Sequence, residues 1–128
     1  MMKSLKYCFF AVDTGFLLYW TVTALHLIPP QYLYNDYTSP MLVNWNWSFF
    51  PLDMLISATG LYSLWLNRAQ RPRWRVFALI SLVLTSVSGL QAVSYWALAR
   101  EFDPVWWIPN GFLLVYPLFF IPRLIRSL

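Results

Sequence analysis

Polar residues break the apolar pattern of this chain at three places, and the four runs between them are each long enough to cross a bilayer. The runs cover residues 8–28, 45–66, 76–98 and 105–121. A helix needs roughly 17–25 mostly apolar residues to traverse a hydrocarbon core about 30 Å thick. The expected fold is therefore all-α: an antiparallel bundle of four transmembrane helices, forming a single transmembrane domain over residues 1–128.

Punctuation between the runs agrees with that division. Pro29 and Pro30 remove backbone donors and disfavour helix in the residue before them. The longest connection, residues 31–44, carries Tyr32, Tyr34, Asn35, Asp36 and Tyr37, and its tyrosines suit a membrane interface, where a short helix is expected. A leader peptide is not expected at the N-terminus, because Asp13 interrupts the first run, the run is long and no small-residue cleavage pattern follows.

Composition places the chain in a membrane. Of 128 residues, 59% are hydrophobic and 11% charged, against roughly 45–50% and 25% in soluble domains. The net charge of +4 does not point to nucleic acid, because the basic residues sit beside the apolar runs. Lys3, Lys6, Arg68, Arg71, Arg73, Arg75, Arg123 and Arg126 fall on one side of the expected bundle, and Arg100 alone falls on the other. That asymmetry predicts cytoplasmic termini. Cys8 is a lone cysteine, and no zinc or haem-attachment spacing occurs, so neither metal nor cofactor is expected.

Against this apolar background the informative residues are those that break it. Asp53 lies about 10 Å inward of the flanking Trp45 and Trp47 at 1.5 Å per residue, and an intramembrane acid is a functional candidate by default. Pro51, just before it, predicts local unwinding that frees a backbone carbonyl near the carboxyl group. Asn46 shares a helical face with Asp53, and antiparallel packing brings Gln91, Asn110 and His26 to the same outer half. Polar groups in hydrocarbon need partners, so several are expected to converge. Trp20 is the one tryptophan at mid-span and is a candidate for lining the same pocket. The other seven read as an interfacial belt. In the third run, Ser81, Thr85, Ser88 and Gln91 form a stripe that reads first as a packing seam. Asp13, counted from Cys8, lies only about one and a half turns in, where snorkelling or pairing with Arg71, Arg73 or Arg75 would satisfy it.

The stretches 13–20 (DTGFLLYW), 27–34 (LIPPQYLY) and 45–53 (WNWSFFPLD) together resemble the YvaD-like family of small bacterial membrane proteins. That resemblance implies four spans in a bacterial inner membrane and supplies no reaction. In layout the chain is also similar to the EXPERA proteins, the emopamil-binding sterol isomerases and their relatives, with Asp53 where those carry an acid early in the second span and Tyr116 and Pro117 in the last. It departs from them in having its one histidine, His26, in the first run and no acid within the third.

Three functions are compatible with these residues. The leading one is binding of a lipid or other apolar small molecule around Asp53, Asn46, Gln91, Asn110, Trp20 and His26, with Asp53 the candidate catalytic residue if an isomerase chemistry is present. A proton-coupled small multidrug-type exporter would use Asp13 instead. A structural or partner-binding subunit, including a homo-oligomer joined through the third run's polar face, needs neither acid. The bilayer is a partner in all three.

Overall fold

The computed structural model describes residues 1–27, 29 and 38–128, and these form four helices: α1 (Lys3–Ala24), α2 (Pro40–Arg68), α3 (Trp74–Leu98) and α4 (Pro104–Ser127). No strand occurs among the described residues. The expected interfacial segment around Tyr32–Tyr37, and the boundary at Ile28, lie outside them.

The helices do not stop at the edges of the apolar stretches: α2 and α4 overrun theirs at both ends, α3 starts early at Trp74, and α1 starts early at Lys3 but stops at Ala24. Pro40 and Pro104 stand in the first turns of α2 and α4, where a missing N–H costs nothing. Asp103 accepts the Val105 N–H at 3.0 Å and so caps α4. At the other ends, His26, Gln70 and Arg100 take the left-handed conformation, with φ of 54°, 57° and 57°. Each closes the same pair of backbone bonds, as in Leu27 N–H to the Val22 carbonyl and His26 N–H to that of Thr23. Glycine usually fills this position. Here it does not, and the four glycines, Gly15, Gly60, Gly89 and Gly111, lie one inside each helix.

Helix α2 continues without a break through Pro51, and α4 through Pro109, Pro117 and Pro122. The unwinding expected beside Asp53 is absent. A proline deletes one intrahelical bond, and in a medium without competing donors the remaining bonds keep the helix closed.

Packing is between consecutive helices, α1 on α2, α2 on α3 and α3 on α4. The hydrogen bonds between them pair rising with falling residue numbers, which makes neighbours antiparallel. Ser57 Oγ donates to the Asp13 carbonyl at 2.9 Å, Ser81 Oγ to that of Ile56 at 3.0 Å, Ser63 Oγ to that of Trp74 at 2.9 Å and Ser86 Oγ to that of Leu114 at 2.9 Å. Small hydroxyl residues let backbones approach and satisfy their own donors on the facing carbonyls. Gly89 marks the tightest approach: a Cβ there would collide with the Leu114 amide nitrogen and the Asn110 carbonyl oxygen.

Three of the helices, α2, α3 and α4, are long and apolar enough to cross a membrane; α1, which carries Lys3, Lys6 and Asp13, is not counted with them. The protein is thus a multi-pass membrane protein by its helices. Phe10, Leu18, Leu55, Leu90, Leu118 and Phe119 point outward and are more than half exposed, as lipid-facing residues are. Inside, the two ends differ. One end holds a core of Leu5, Phe9, Ala78, Leu82, Tyr116 and Leu124, with a small cavity of about 230 Å³ lined by Leu5, Phe120 and Leu124 beside it. The other, where α1 and α3 finish and α2 and α4 begin, encloses a cleft.

Candidate functional site: an aromatic cleft with a buried aspartate

The cleft has a volume of about 390 Å³ and draws its walls from all four helices, within the roughly 300–1,000 Å³ common for small-molecule sites. From α1 come Val12, Gly15, Phe16, Tyr19 and Trp20; from α2 Trp45, Asn46, Phe49 and Asp53; from α3 Ser88, Ala92 and Trp96; from α4 Trp106, Pro109, Asn110, Phe112 and Leu113. Consecutive helices touch along their lengths, whereas α1 and α4 face each other across this gap.

Asp53 sits in the wall at 4% exposure. Trp20 Nε1 donates to its Oδ2 at 2.9 Å, and Ser88 Oγ donates to its Oδ1 at 3.3 Å. One carboxyl group thereby joins α1, α2 and α3. The same two donors that anchor it leave it facing a mostly aromatic space. Trp20 is itself held in a cluster, with ring centroids 5.0 Å from Trp47 and 5.5 Å from Phe50. Across the cleft Trp45 stacks on Tyr95 at 4.2 Å and meets Trp96 edge-on at 5.9 Å, geometries favoured by the ring quadrupoles.

Among the six residues that the sequence nominates for binding, Asn46, Asp53, Asn110 and Trp20 line the cleft, and Gln91 and His26 do not. Gln91 is exposed because the helical repeat rotates it off the seam. At 100° per residue it lies about 80° from Ser81, and Ala92 only about 20°. Ala92 and Trp96 accordingly take the wall position. His26 is exposed beyond the end of α1, in the left-handed residue that turns the chain away. Asn110 Nδ2 donates to the Trp106 carbonyl at 2.8 Å, which leaves its Oδ1 as the atom to offer an occupant. Tyr19 Oη lies 3.5 Å from Asn46 Oδ1, while Asn46 Nδ2 is buried without a partner.

Sequence reasoning missed Ser88 as a ligand of Asp53 and counted Trp45, Trp96 and Trp106 as belt residues. Ser88 was visible as part of the third run's stripe, but nothing in one chain said which atom it faces. The tryptophans do lie near helix ends, so depth alone cannot separate a belt from a wall.

Asp13 corrects a larger expectation. It is fully buried, at 0% exposure, and neither carboxyl oxygen has a hydrogen-bond partner among the described residues. Arg71 and Arg73 are exposed in the loop, and Arg75 lies over the Trp74 ring at 5.1 Å; none reaches Asp13. The helix begins at Lys3, not Cys8, so Asp13 is about 15 Å along it. Gly60 makes room for it, since a Cβ there would overlap the Asp13 carboxyl. Nearby Tyr116 Oη is also buried, with Thr85 as its hydroxyl neighbour. Asp13 does not line the cleft. No cluster of three or more His, Cys, Asp or Glu able to hold a metal occurs among the described residues.

A family model described as a family of unknown function (DUF5360) matches residues 5–128, and the chain belongs to that family. It is 53% identical over 126 residues to the uncharacterized protein YvaD of Bacillus subtilis (strain 168), covering 98% of this chain and 95% of that protein. The resemblance read from stretches 13–20, 27–34 and 45–53 thus extends along the whole sequence. No solved structure matches the chain.

Proposed function

We propose that this member of the DUF5360 family is a four-span protein of the bacterial inner membrane that holds a lipid or other apolar small molecule in the cleft beside Asp53. Its two termini and the 67–75 loop face the cytoplasm, in line with the eight basic residues at that end. One observation carries the reading: a cleft of about 390 Å³ is walled by side chains of every helix and has a hydrogen-bonded carboxyl group in its wall. The opposite end has an apolar core of Leu5, Phe9 and Leu82 and a smaller cavity of about 230 Å³, and of these two spaces only the larger has a carboxyl group in its wall. Asp53, Asn46, Asn110 and Trp20 are the binding residues in this reading. Asp53 is the one group there able to exchange a proton in an isomerisation.

The test is to fill the space. Gly15 lines the cleft, and a Cβ on it meets nothing within 4 Å, so Gly15→Phe puts a ring into the cleft without a backbone clash. Purified wild-type protein should carry a co-purifying apolar molecule in native mass spectra, and Gly15→Phe should lack it. Equal occupancy in the two proteins would sink the binding reading.

The exporter reading retains one observation in its favour, the burial of Asp13 without a partner. A proton-carrying acid requires such a site. Its test is whether Asp13→Asn, and not Asp53→Asn, abolishes tolerance of toxic cations in cells.

A further inference from the structure

The cleft's polar atoms have a sign, and the sign selects a ligand class. Resting on the proposal that the cleft is a binding site, we infer that its occupant is a lipophilic ammonium compound: an apolar body bearing a positively charged nitrogen and no phosphate.

The first observation is charge. Asp53 is the single ionisable acid among the residues that line the cleft, and no Lys, Arg or His lines it. Its own partners, the Trp20 indole and the Ser88 hydroxyl, are neutral donors. They orient the carboxyl group and bring no countercharge. A cationic occupant supplies what the protein leaves out.

The second is the wall. Trp20, Trp45, Trp96 and Trp106 face the cleft, and the face of an indole is negative, which makes it the best aromatic surface for a cation. A neutral hydrocarbon tail gains only contact area from such walls. Leucine and phenylalanine would provide that area equally well, as they do in the core of the opposite end. Tryptophans around one acid give a quaternary or protonated nitrogen two sources of attraction at once.

The same facts argue against a phospholipid headgroup. A phosphate is held by Arg or Lys, and eight of the nine basic residues lie at the other end of the helices. Arg100, at the cleft end, is exposed and does not line it. A phosphate beside Asp53 would face like charge.

The decisive comparison changes one atom of the ligand. Full-length protein in maltoside micelles is titrated with decyltrimethylammonium and with the uncharged hydrocarbon in which carbon replaces nitrogen. Binding is read from tryptophan fluorescence. Wild-type protein should prefer the ammonium probe by about tenfold or more. Asp53→Asn should lose that preference and bind the ammonium probe no more tightly than the neutral one. If wild-type protein binds both probes equally, the cleft takes neutral molecules; the ammonium inference is then overturned and the binding reading stands. If neither probe binds, the binding reading itself fails. A preference that persists undiminished in Asp53→Asn would overturn the inference too, since the carboxyl group would not be its source. Should Asp53→Asn lose the neutral probe through misfolding, the wild-type pair of titrations decides alone.

Discussion

Two aspartates are buried on consecutive helices, and the chain treats them in opposite ways. Asp53 is given an indole N–H and a hydroxyl, from α1 and α3, and stands in the wall of an aromatic cleft. Asp13 is given a glycine notch, has no hydrogen bond to either oxygen among the described residues and does not line the cleft. Three hydroxyls on the neighbouring helices spend their protons on main-chain carbonyls: Ser57 on that of Asp13, Ser81 on that of Ile56 and Thr85 on that of Ser81. A buried polar group without a partner costs free energy, whereas a satisfied one is close to neutral. The difference teaches that burial alone does not identify the working residue. Asp53 holds three helices in register around a space; Asp13 is tolerated by the packing around it.

The comparison breaks most visibly at the glycines that set the helix spacing. Gly89→Ala would drive a methyl group into the backbone of α4 at Asn110 and Leu114, where nothing but the whole helix can give way. A loss of about 3 kcal/mol is expected, seen as a large fall in the temperature of detergent-solubilised unfolding. Gly60→Ala meets the Asp13 side chain instead, with Ser81 Oγ next. That obstacle is removable. The Gly60→Ala defect should be about 1–3 kcal/mol in the wild-type background and should shrink sharply when Asp13→Ala is added. Strict additivity of the two changes would show that the Asp13 carboxyl does not occupy the notch.

Next in size is the contrast between the acids themselves. Asp53→Leu deprives Trp20 and Ser88 of their acceptor and should cost about 1–3 kcal/mol. Asp53→Asn retains a carbonyl oxygen for the indole and should unfold close to wild type. At Asp13 the sign should reverse. Removing an unpartnered carboxyl group by Asp13→Asn or Asp13→Leu relieves a desolvation cost, so thermal unfolding should stay level or rise, by up to about 1 kcal/mol in stability. A fall at Asp13 as large as that at Asp53→Leu would erase the distinction between the two sites.

How much of this was legible beforehand follows from what each residue advertises. The four helices were visible because hydrophobic runs and breaks are local properties, as were Asp53, Asn46, Asn110 and Trp20 as one outer group. Helix ends were less so. Their left-handed caps are His26, Gln70 and Arg100, residues that carry no glycine signal, while the glycines sit inside helices. Spacing along one chain also could not show that Arg71, Arg73 and Arg75 turn away from Asp13. Rotation decided Gln91 against Ala92, a difference of one residue that a spacing of three or four cannot resolve. Which tryptophans face lipid and which face the cleft depends on helix rotation and on the partner helix. No single run contains that information.

The smallest expected change in stability gives the sharpest view of the cleft. Gly15 and Gly111 are alike in that a Cβ on either meets nothing within 4 Å. They differ in place, because Gly15 lines the cleft and Gly111 does not. Phenylalanine at either position replaces the poorest residue for a helix interior after proline with a better one and adds apolar surface in an apolar setting. Both Gly15→Phe and Gly111→Phe should therefore unfold within about 0.5 kcal/mol of wild type, the range of substitutions that disturb no packed feature. Ligand occupancy should separate them. The ring at 15 takes up volume that the occupant needs, and the ring at 111 has no access to it. Binding of the ammonium probe should vanish in the first and persist in the second. Loss of binding in both, with stability unchanged, would mean that the occupant lies outside the cleft, along the surface of α4.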